Sequence, residues 1–197
     1  AMACRKQGLD PQTVAIMLDS AGGGSMTAEV DAAAMTLTQL ADHIEQTHHT
    51  YLKTELPRLV EMAERVARKH GWRDARMPEV RACVMELADD MTRHMQKEEI
   101  VLFPLIRQLD TGTSRSGLPT QSVAEPIQRM QSEHEVAGQL VARLRELTDG
   151  FTPTVDSCQT RRAMLTSLVE LESDLHRHVH KENNILFPRA LAKSEQR

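Results

Sequence analysis

Apolar side chains recur at intervals of three and four residues along most of the chain, the spacing that gathers them on one face of an α-helix. This periodicity predicts four long helices at about 28–69, 78–109, 121–148 and 156–192. In the third, Ile127, Met130, Val141 and Leu144 form an apolar face opposite a polar one. Because short connections join the helices, we expect an all-α fold, an antiparallel four-helix bundle whose interior can hold a cofactor.

Prolines and glycines predict where these helices stop or bend. Pro57 lies in the middle of the first helix and predicts a kink or break near Leu56. Pro104 and Pro188 are expected to interrupt the second and fourth helices. The stretch 111–119 is rich in glycine, serine and proline and is expected to be a loop.

A glycine-rich stretch at 21–25 divides the chain into two unequal parts. Before it, Asp10 and Pro11 begin a short helix as its N-cap and its first residue. We therefore predict a short N-terminal helical segment with its linker at residues 1–24, which is too small to fold alone. The helical bundle is predicted at residues 28–193.

Composition and charge exclude several classes of function. A formal charge of -4 without a basic stripe, and an aromatic content of 3%, offer little to a phosphate backbone or to stacked bases, so no nucleic-acid partner is expected. The longest apolar run, Ile100–Ile106, is too short to span a membrane and contains Pro104. The first residues lack the apolar core of a secretory signal, and we expect a cytoplasmic protein with no membrane partner. Three widely spaced cysteines suit neither a disulfide framework nor a CxxC motif, and Cys83 is expected to be a packed thiol.

An internal repeat contains the residues with the clearest chemistry. Two segments of the chain align with many identical positions, 86–104 and 170–188. Each copy has a histidine and a glutamate four residues apart, His94 with Glu98 and His178 with Glu182, so an α-helix points both side chains in the same direction. A single pair of this kind is more often a surface pair, but two copies with matching flanks favour a metal site.

Two further histidines precede these pairs at nearly equal distances. His49 lies 45 residues before His94, and His134 lies 44 residues before His178. Each helical hairpin therefore offers one histidine on its first helix and a His-x-x-x-Glu pair on its second. The predicted metal ligands are His49, His94, Glu98, His134, His178 and Glu182.

This set of ligands predicts two metal ions. Carboxylates can bridge two ions whereas each imidazole serves one, so we expect Glu98 and Glu182 to span the pair, with two histidines on each ion. About two positions of an octahedron then remain for an oxide or hydroxide bridge and an exchangeable ligand. Nitrogen and oxygen donors without thiolate suit iron best, manganese next and zinc less well. The sequence thus predicts an open two-iron centre.

Several polar residues near the predicted ligands allow two interpretations. Asp90 and Asp174 lie one turn before the histidines of the repeat. They either accept the second imidazole N–H or offset the charge of the ions, or they are solvated surface residues. His48 is the neighbour of His49, about 100° away around the helix, and the spacing favours His49 as the ligand. His70 stands at a predicted helix end, where a positive charge complements the helix dipole.

The predicted ligands belong to an ordered series of motifs. These are His49, Glu55-Leu56-Pro57-Arg58-Leu59, His94 to Glu99, Leu102-Phe103-Pro104, Glu133-His134-Glu135, and His178 with Glu182 to Ala190. Over about residues 30–193 the series resembles the repair-of-iron-centres proteins, a di-iron branch of the hemerythrin-like fold. The resemblance implies a left-handed four-helix bundle that holds two iron ions, oxo- or hydroxo-bridged, on the same six ligands. It also implies a cytoplasmic protein that helps to restore iron–sulfur clusters damaged by nitric oxide or peroxide, with the damaged proteins as partners.

Two features depart from the patterns of these relatives. Oxygen-carrying hemerythrins place another histidine one turn after the third-helix histidine, where this chain has Gly138, and this difference argues against simple oxygen carriage. Residues 3–11 resemble the end of the small domain that precedes the bundle in this family, but of its paired-cysteine motif only Cys4 is present. That domain is either truncated in this chain or naturally absent.

Three functions are compatible with these residues. The leading hypothesis is a di-iron protein that restores iron–sulfur clusters by donating iron, or by reacting with nitric oxide or peroxide. The alternative is a hemerythrin-like sensor or scavenger that binds oxygen or nitric oxide reversibly. In the third, the ions only fasten the bundle together, because metal binding can supply folding free energy. The sequence leaves open whether the protein is an enzyme.

Overall fold

The computed structural model describes residues 31–112 and 122–196, which form helices without any β-strand. The predicted N-terminal segment at 1–24 and most of the predicted loop at 111–119 lie outside this part of the chain. The described part contains the α-helices α1 (Leu37–Ile44), α2 (Thr50–His70), α3 (Met77–Lys97), α4 (Phe103–Thr111), α5 (Ala124–Leu147), α6 (Gln159–Lys181) and α7 (Phe187–Glu195).

The described residues form four rods, and three π-helical turns join six of the helices into three of them. The turns are Glu45–His49 between α1 and α2, Glu98–Leu102 between α3 and α4, and Glu182–Leu186 between α6 and α7. Helix α5 forms the remaining rod. In the bundle, α2 packs against α3 and α6, and α3 packs against α5.

The core consists of two apolar clusters with a polar layer between them. The first cluster includes Leu52, Leu87, Leu144 and Leu168, and the second includes Leu40, Phe103, Ile127 and Phe187. The first and third rods run from the second cluster to the first, and the other two rods run the opposite way. Successive rods are therefore antiparallel, which confirms the predicted all-α four-helix bundle.

Local capping sets the start of the first rod. Helix α1 begins at Leu37, not near Ala28 as predicted, because Thr36 and Gln39 form a capping box. The Thr36 hydroxyl accepts a hydrogen bond from the Gln39 N–H, and the Gln39 side chain accepts one from the Thr36 N–H. The other rod ends lie within three residues of the predicted positions.

Of the kink or break predicted near Leu56, the structure excludes the break, and the kink stays a prediction. Helix α2 continues from Thr50 to His70 with Pro57 inside it. Pro57 is exposed, so water can hydrate the carbonyl that loses its helical partner. Pro104 and Pro188 do mark interruptions, as predicted: each lies in the first turn of the α-helix that resumes after a π turn.

Cys83 is buried, as predicted, and burial raises the pKa of its thiol. His70 is the last residue of α2, and its Nε2 lies 3.1 Å from Sγ of Cys158. Among the described residues, no helix combines the length and the apolar character that crossing a membrane requires.

Candidate metal centre

The six predicted ligand side chains meet in the polar layer between the two apolar clusters. The three π turns contribute His49, Glu98 and Glu182. The other three side chains are His94 from α3, His134 from α5 and His178 from α6. Four of them are completely buried, and the most accessible, His134, is only 6% exposed. All four rods contribute to this cluster.

The six side chains form two groups that share both glutamates. Potential ligand atoms of His49, Glu98, His178 and Glu182 all lie within 4.8 Å of one another, and so do those of His94, Glu98, His134 and Glu182. The Oε2 atom of Glu98 lies 3.3 Å from Nε2 of both His49 and His94. The carboxylate of Glu182 lies 2.9 Å from Nε2 of His178 and 3.1 Å from Nε2 of His134. Two histidines per group with two shared carboxylates is the arrangement expected for a bridged pair of ions.

Local helix geometry aims these side chains inward. Glu98 and Glu182 each lie one turn after a histidine of the cluster, so each pair occupies one face of its rod. Both glutamates also begin a π turn, in which the N–H of Phe103 donates to the Glu98 carbonyl and the N–H of Phe187 to the Glu182 carbonyl. Hydrogen bonds between residues i and i+5 widen the helix locally, and π turns of this kind frequently occur at functional sites.

The centre has the unpaired polar atoms that a cation would satisfy. Nε2 of His49, both carboxylate oxygens of Glu98 and Oε2 of Glu182 are buried without a hydrogen-bond partner among the described residues. A buried charge is costly unless it is paired or coordinates a metal. The donors are imidazole nitrogens and carboxylate oxygens without thiolate, a set that suits first-row divalent metals. The cluster therefore fits metal ions chemically as well as geometrically.

Without metal, the carboxylates favour protonated imidazoles. Burial alone would lower the pKa of His94, but Glu98 and Glu182 in particular raise it to about 9. Burial also opposes protonation of His49, yet the same two carboxylates leave its pKa raised. Burial would raise the pKa of Glu182, but the adjacent imidazoles hold it well below its usual range. The metal-free centre therefore carries protons that an incoming ion must displace.

Metal uptake is accordingly expected to strengthen as the pH rises. Only a neutral imidazole binds a metal, and the pKa of His94, at about 9, keeps that ring protonated at neutral pH. Each displaced proton changes the binding constant about tenfold per pH unit below the pKa, so between pH 6 and pH 8 we expect a gain of about 100-fold for one proton. Calorimetric titration with Mn²⁺ in buffers of different ionisation enthalpy measures both the constant and the protons released. A binding constant independent of pH would contradict a protonated metal-free centre.

Three of the four imidazoles donate their second N–H to a neighbouring side chain. The Nδ1 atoms of His49, His94 and His134 lie 2.8, 3.1 and 3.2 Å from Glu99, Glu133 and Asn183, respectively. Such acceptors fix the orientation of a ligand ring and raise its basicity. Lys53 and Lys97 contact the two glutamates from the solvent side. None of these three acceptors was predicted from the sequence, although each is the immediate neighbour of a predicted ligand.

The two aspartates considered as acceptors have other partners. Asp90 is partly exposed and pairs with Arg93, and it makes no hydrogen bond to a predicted ligand among the described residues. Its role in offsetting the charge of the ions stays a prediction. Asp174 is buried and accepts a hydrogen bond from Nδ1 of His48, not from a predicted ligand. His48 is itself buried, and its Nε2 accepts a hydrogen bond from Lys181. As the spacing predicted, His49 is the histidine of this pair that faces the centre.

A cavity of about 160 Å³ opens beside the centre, between α3 and α5. It is lined by Asp90, Met91, Arg93, His94, Lys97, Glu133 and Val136. A water molecule occupies about 30 Å³ of liquid, so the cavity has room for small molecules next to His94. Gly138, at the position where oxygen carriers have a further histidine, is exposed, and a Cβ there would have no neighbour within 4 Å. This position supplies no ligand.

Comparison with known proteins agrees with this geometry. The hemerythrin HHE cation-binding domain matches residues 40–190, a range that contains all six side chains of the cluster. The iron–sulfur cluster repair protein YtfE of Musicola paradisiaca (strain Ech703) is 38% identical over 182 residues, which cover 88% of this chain and 78% of that protein. The YtfE proteins of Yersinia pseudotuberculosis serotype IB (strain PB1/+) and Yersinia pestis (strain Pestoides F) are 39% identical over 155 residues, 79% of this chain. The alignment spans 66% of each Yersinia protein. The chain belongs to the hemerythrin HHE cation-binding domain family, in the branch that includes the YtfE proteins.

Proposed function

We propose that this protein restores iron–sulfur clusters damaged by nitric oxide or peroxide, and that it does so with two iron ions held by the six converging residues. The observation that carries the proposal is the pair of buried groups that share Glu98 and Glu182. Similarity over most of the chain to relatives named iron–sulfur cluster repair proteins supports it. The proposed partners are cytoplasmic proteins with damaged clusters.

Iron is the proposed occupant of both positions. Each group supplies two imidazoles and two shared carboxylates, which would hold one six-coordinate ion and would leave about two positions for other ligands. Zinc prefers four ligands and manganese favours oxygen donors, so both suit this set less well. Bound iron would supply redox chemistry and a position for small molecules.

The protein's own residues orient the imidazoles of this centre and balance the charge around it. Glu99 and Glu133 fix two of the imidazoles, and Lys53 and Lys97 balance their charge. The cavity beside His94 gives nitric oxide or peroxide room next to one imidazole of the centre. Because the two apolar clusters lie on either side of the polar layer, the bundle can stay folded while the centre exchanges an ion.

Reconstitution tests the proposal. An enzyme that depends on an iron–sulfur cluster is inactivated with a nitric oxide donor and then incubated with the iron-loaded protein, the metal-free protein or an equal amount of free ferrous iron. We expect the iron-loaded protein to restore most of the lost activity, the metal-free protein to restore none, and free iron to act more slowly. Recovery no faster than with free iron would contradict a repair function.

A reversible sensor or scavenger of oxygen or nitric oxide is the second candidate, favoured by the same cavity. It predicts an optical band that forms when gas is added to the reduced protein and disappears under vacuum. It also predicts no recovery of the damaged enzyme. The two functions therefore give opposite results in the reconstitution experiment.

A further inference from the structure

The sequence repeat relates the two halves of the bundle, and most contacts around the centre follow it. His49 and His134 are equivalent, and each donates its Nδ1 hydrogen to the residue after a shared glutamate, Glu99 for His49 and Asn183 for His134. Each ring also stacks on the phenylalanine of a Leu-Phe-Pro motif, with 5.7 Å and 6.2 Å between ring centroids. To this extent the two metal positions have matching surroundings.

The equivalence fails at one imidazole. His94 and His178 are equivalent by the repeat, and Nδ1 of His94 donates to Glu133, the residue that precedes the histidine of α5. The corresponding residue in the other half is His48, which precedes the histidine of the first rod. Nδ1 of His178 is buried and has no hydrogen-bond partner within residues 31–112 and 122–196.

His48 fails to act as this acceptor because both of its nitrogens are used elsewhere. Its Nδ1 donates to Asp174 over 2.9 Å, and its Nε2 accepts from Lys181 over 2.7 Å. Its ring lies parallel to that of His178, with 5.3 Å between centroids and 9° between planes. His48 therefore presents a ring face, not an acceptor atom, to His178.

We propose that the two metal positions are unequal and that the one between His49 and His178 gives up its ion first. The other position has both imidazoles, His94 and His134, held by acceptors. Loss of such an acceptor typically weakens metal binding about 10- to 100-fold. The inequality of the two positions is independent of the proposed function. Only the identification of this ion as the one donated in repair rests on that function.

Partial removal of metal tests the inequality directly. Crystals of the manganese-loaded protein are soaked briefly in a chelator, and anomalous scattering gives the occupancy of each position. We expect lower occupancy between His49 and His178. In solution, the chelator should remove the ions in two phases whose rates differ by about tenfold or more. Equal occupancies, or lower occupancy between His94 and His134, would overturn the proposal.

Two matched variants test the role of His48. His48→Gln offers an amide oxygen of the kind that Asn183 already provides to His134, whereas His48→Met has similar length but no such acceptor. We expect the glutamine variant to slow the fast phase about tenfold and the methionine variant to leave it fast. Equal slowing in both variants would show that packing, not the acceptor, sets the rate.

A second pair of variants locates the phases if the His48 variants do not fold. Glu99→Ala should speed only the fast phase, and Glu133→Ala only the slow phase, because each glutamate holds a histidine of a different position. The opposite pattern would reverse the assignment. Unequal release without recovery of damaged enzymes would refute the proposed function alone, whereas recovery with equal release would refute only the inequality.

Discussion

Replacing either Glu98 or Glu182 with leucine is expected to reduce the metal content from two ions per chain to one or none. Both carboxylates belong to both groups of converging side chains, so one substitution removes a donor from each position at once. Leucine is similar in volume to glutamate and suits a fully buried position. The bundle should stay folded, because the carboxylates are what raise the pKa of His94 and His49, so an imidazole that loses its carboxylate can become neutral and leaves no unpaired buried charge.

Elemental analysis after reconstitution measures this effect, and circular dichroism verifies that the variants are folded. Glu135→Leu is the matched control, because Glu135 is an exposed glutamate directly beside His134. This control should keep both ions, and so should His48→Ala, which removes a buried ring outside the two groups. Two ions in both glutamate variants would overturn the bridging assignment.

The positions of the six converging side chains could be predicted because the chain repeats itself. The repeat identified His94 with Glu98 and His178 with Glu182 as equivalent pairs, and α-helical geometry holds from each histidine to the glutamate that begins a π turn. His49 and His134 precede the paired histidines by 45 and 44 residues, and these nearly equal distances predicted that both lie in the same layer. Periodicity predicted the rods for a related reason, since the two apolar clusters bury the faces that it identified.

The acceptors around the histidines could not be predicted in the same way. On a regular α-helix, adjacent residues point about 100° apart, so the residue after a glutamate that faces the centre would point away from it. Glu99 and Asn183 are each the second residue of a π turn, where the angular spacing of the α-helix no longer holds. Both reach a histidine on a neighbouring rod. Hydrophobic periodicity contains no signal for such turns.

Removing the metal is expected to lower the melting temperature while leaving most of the helix content. Both carboxylate oxygens of Glu98 and Oε2 of Glu182 have no hydrogen-bond partner among the described residues, so the folded protein gains from binding ions that the unfolded chain cannot hold as a pair. With free metal 100-fold above the dissociation constant, each ion adds about 2.7 kcal/mol. A domain of this size shifts by about 2–4 °C per kcal/mol, so two ions are expected to raise the melting temperature by about 10–20 °C.

Calorimetry and circular dichroism before and after dialysis against a chelator measure this shift, and addition of metal should reverse it. A Glu98→Leu/Glu182→Leu double variant is the control, because its melting temperature should not respond to metal. An unchanged melting temperature in the parent protein would eliminate the hypothesis that the ions fasten the rods. A complete loss of helix would show instead that the two apolar clusters cannot hold the bundle alone. An iron donor has to remain folded after release, so repair by donation requires the intermediate result, in which the metal-free bundle is less stable but intact.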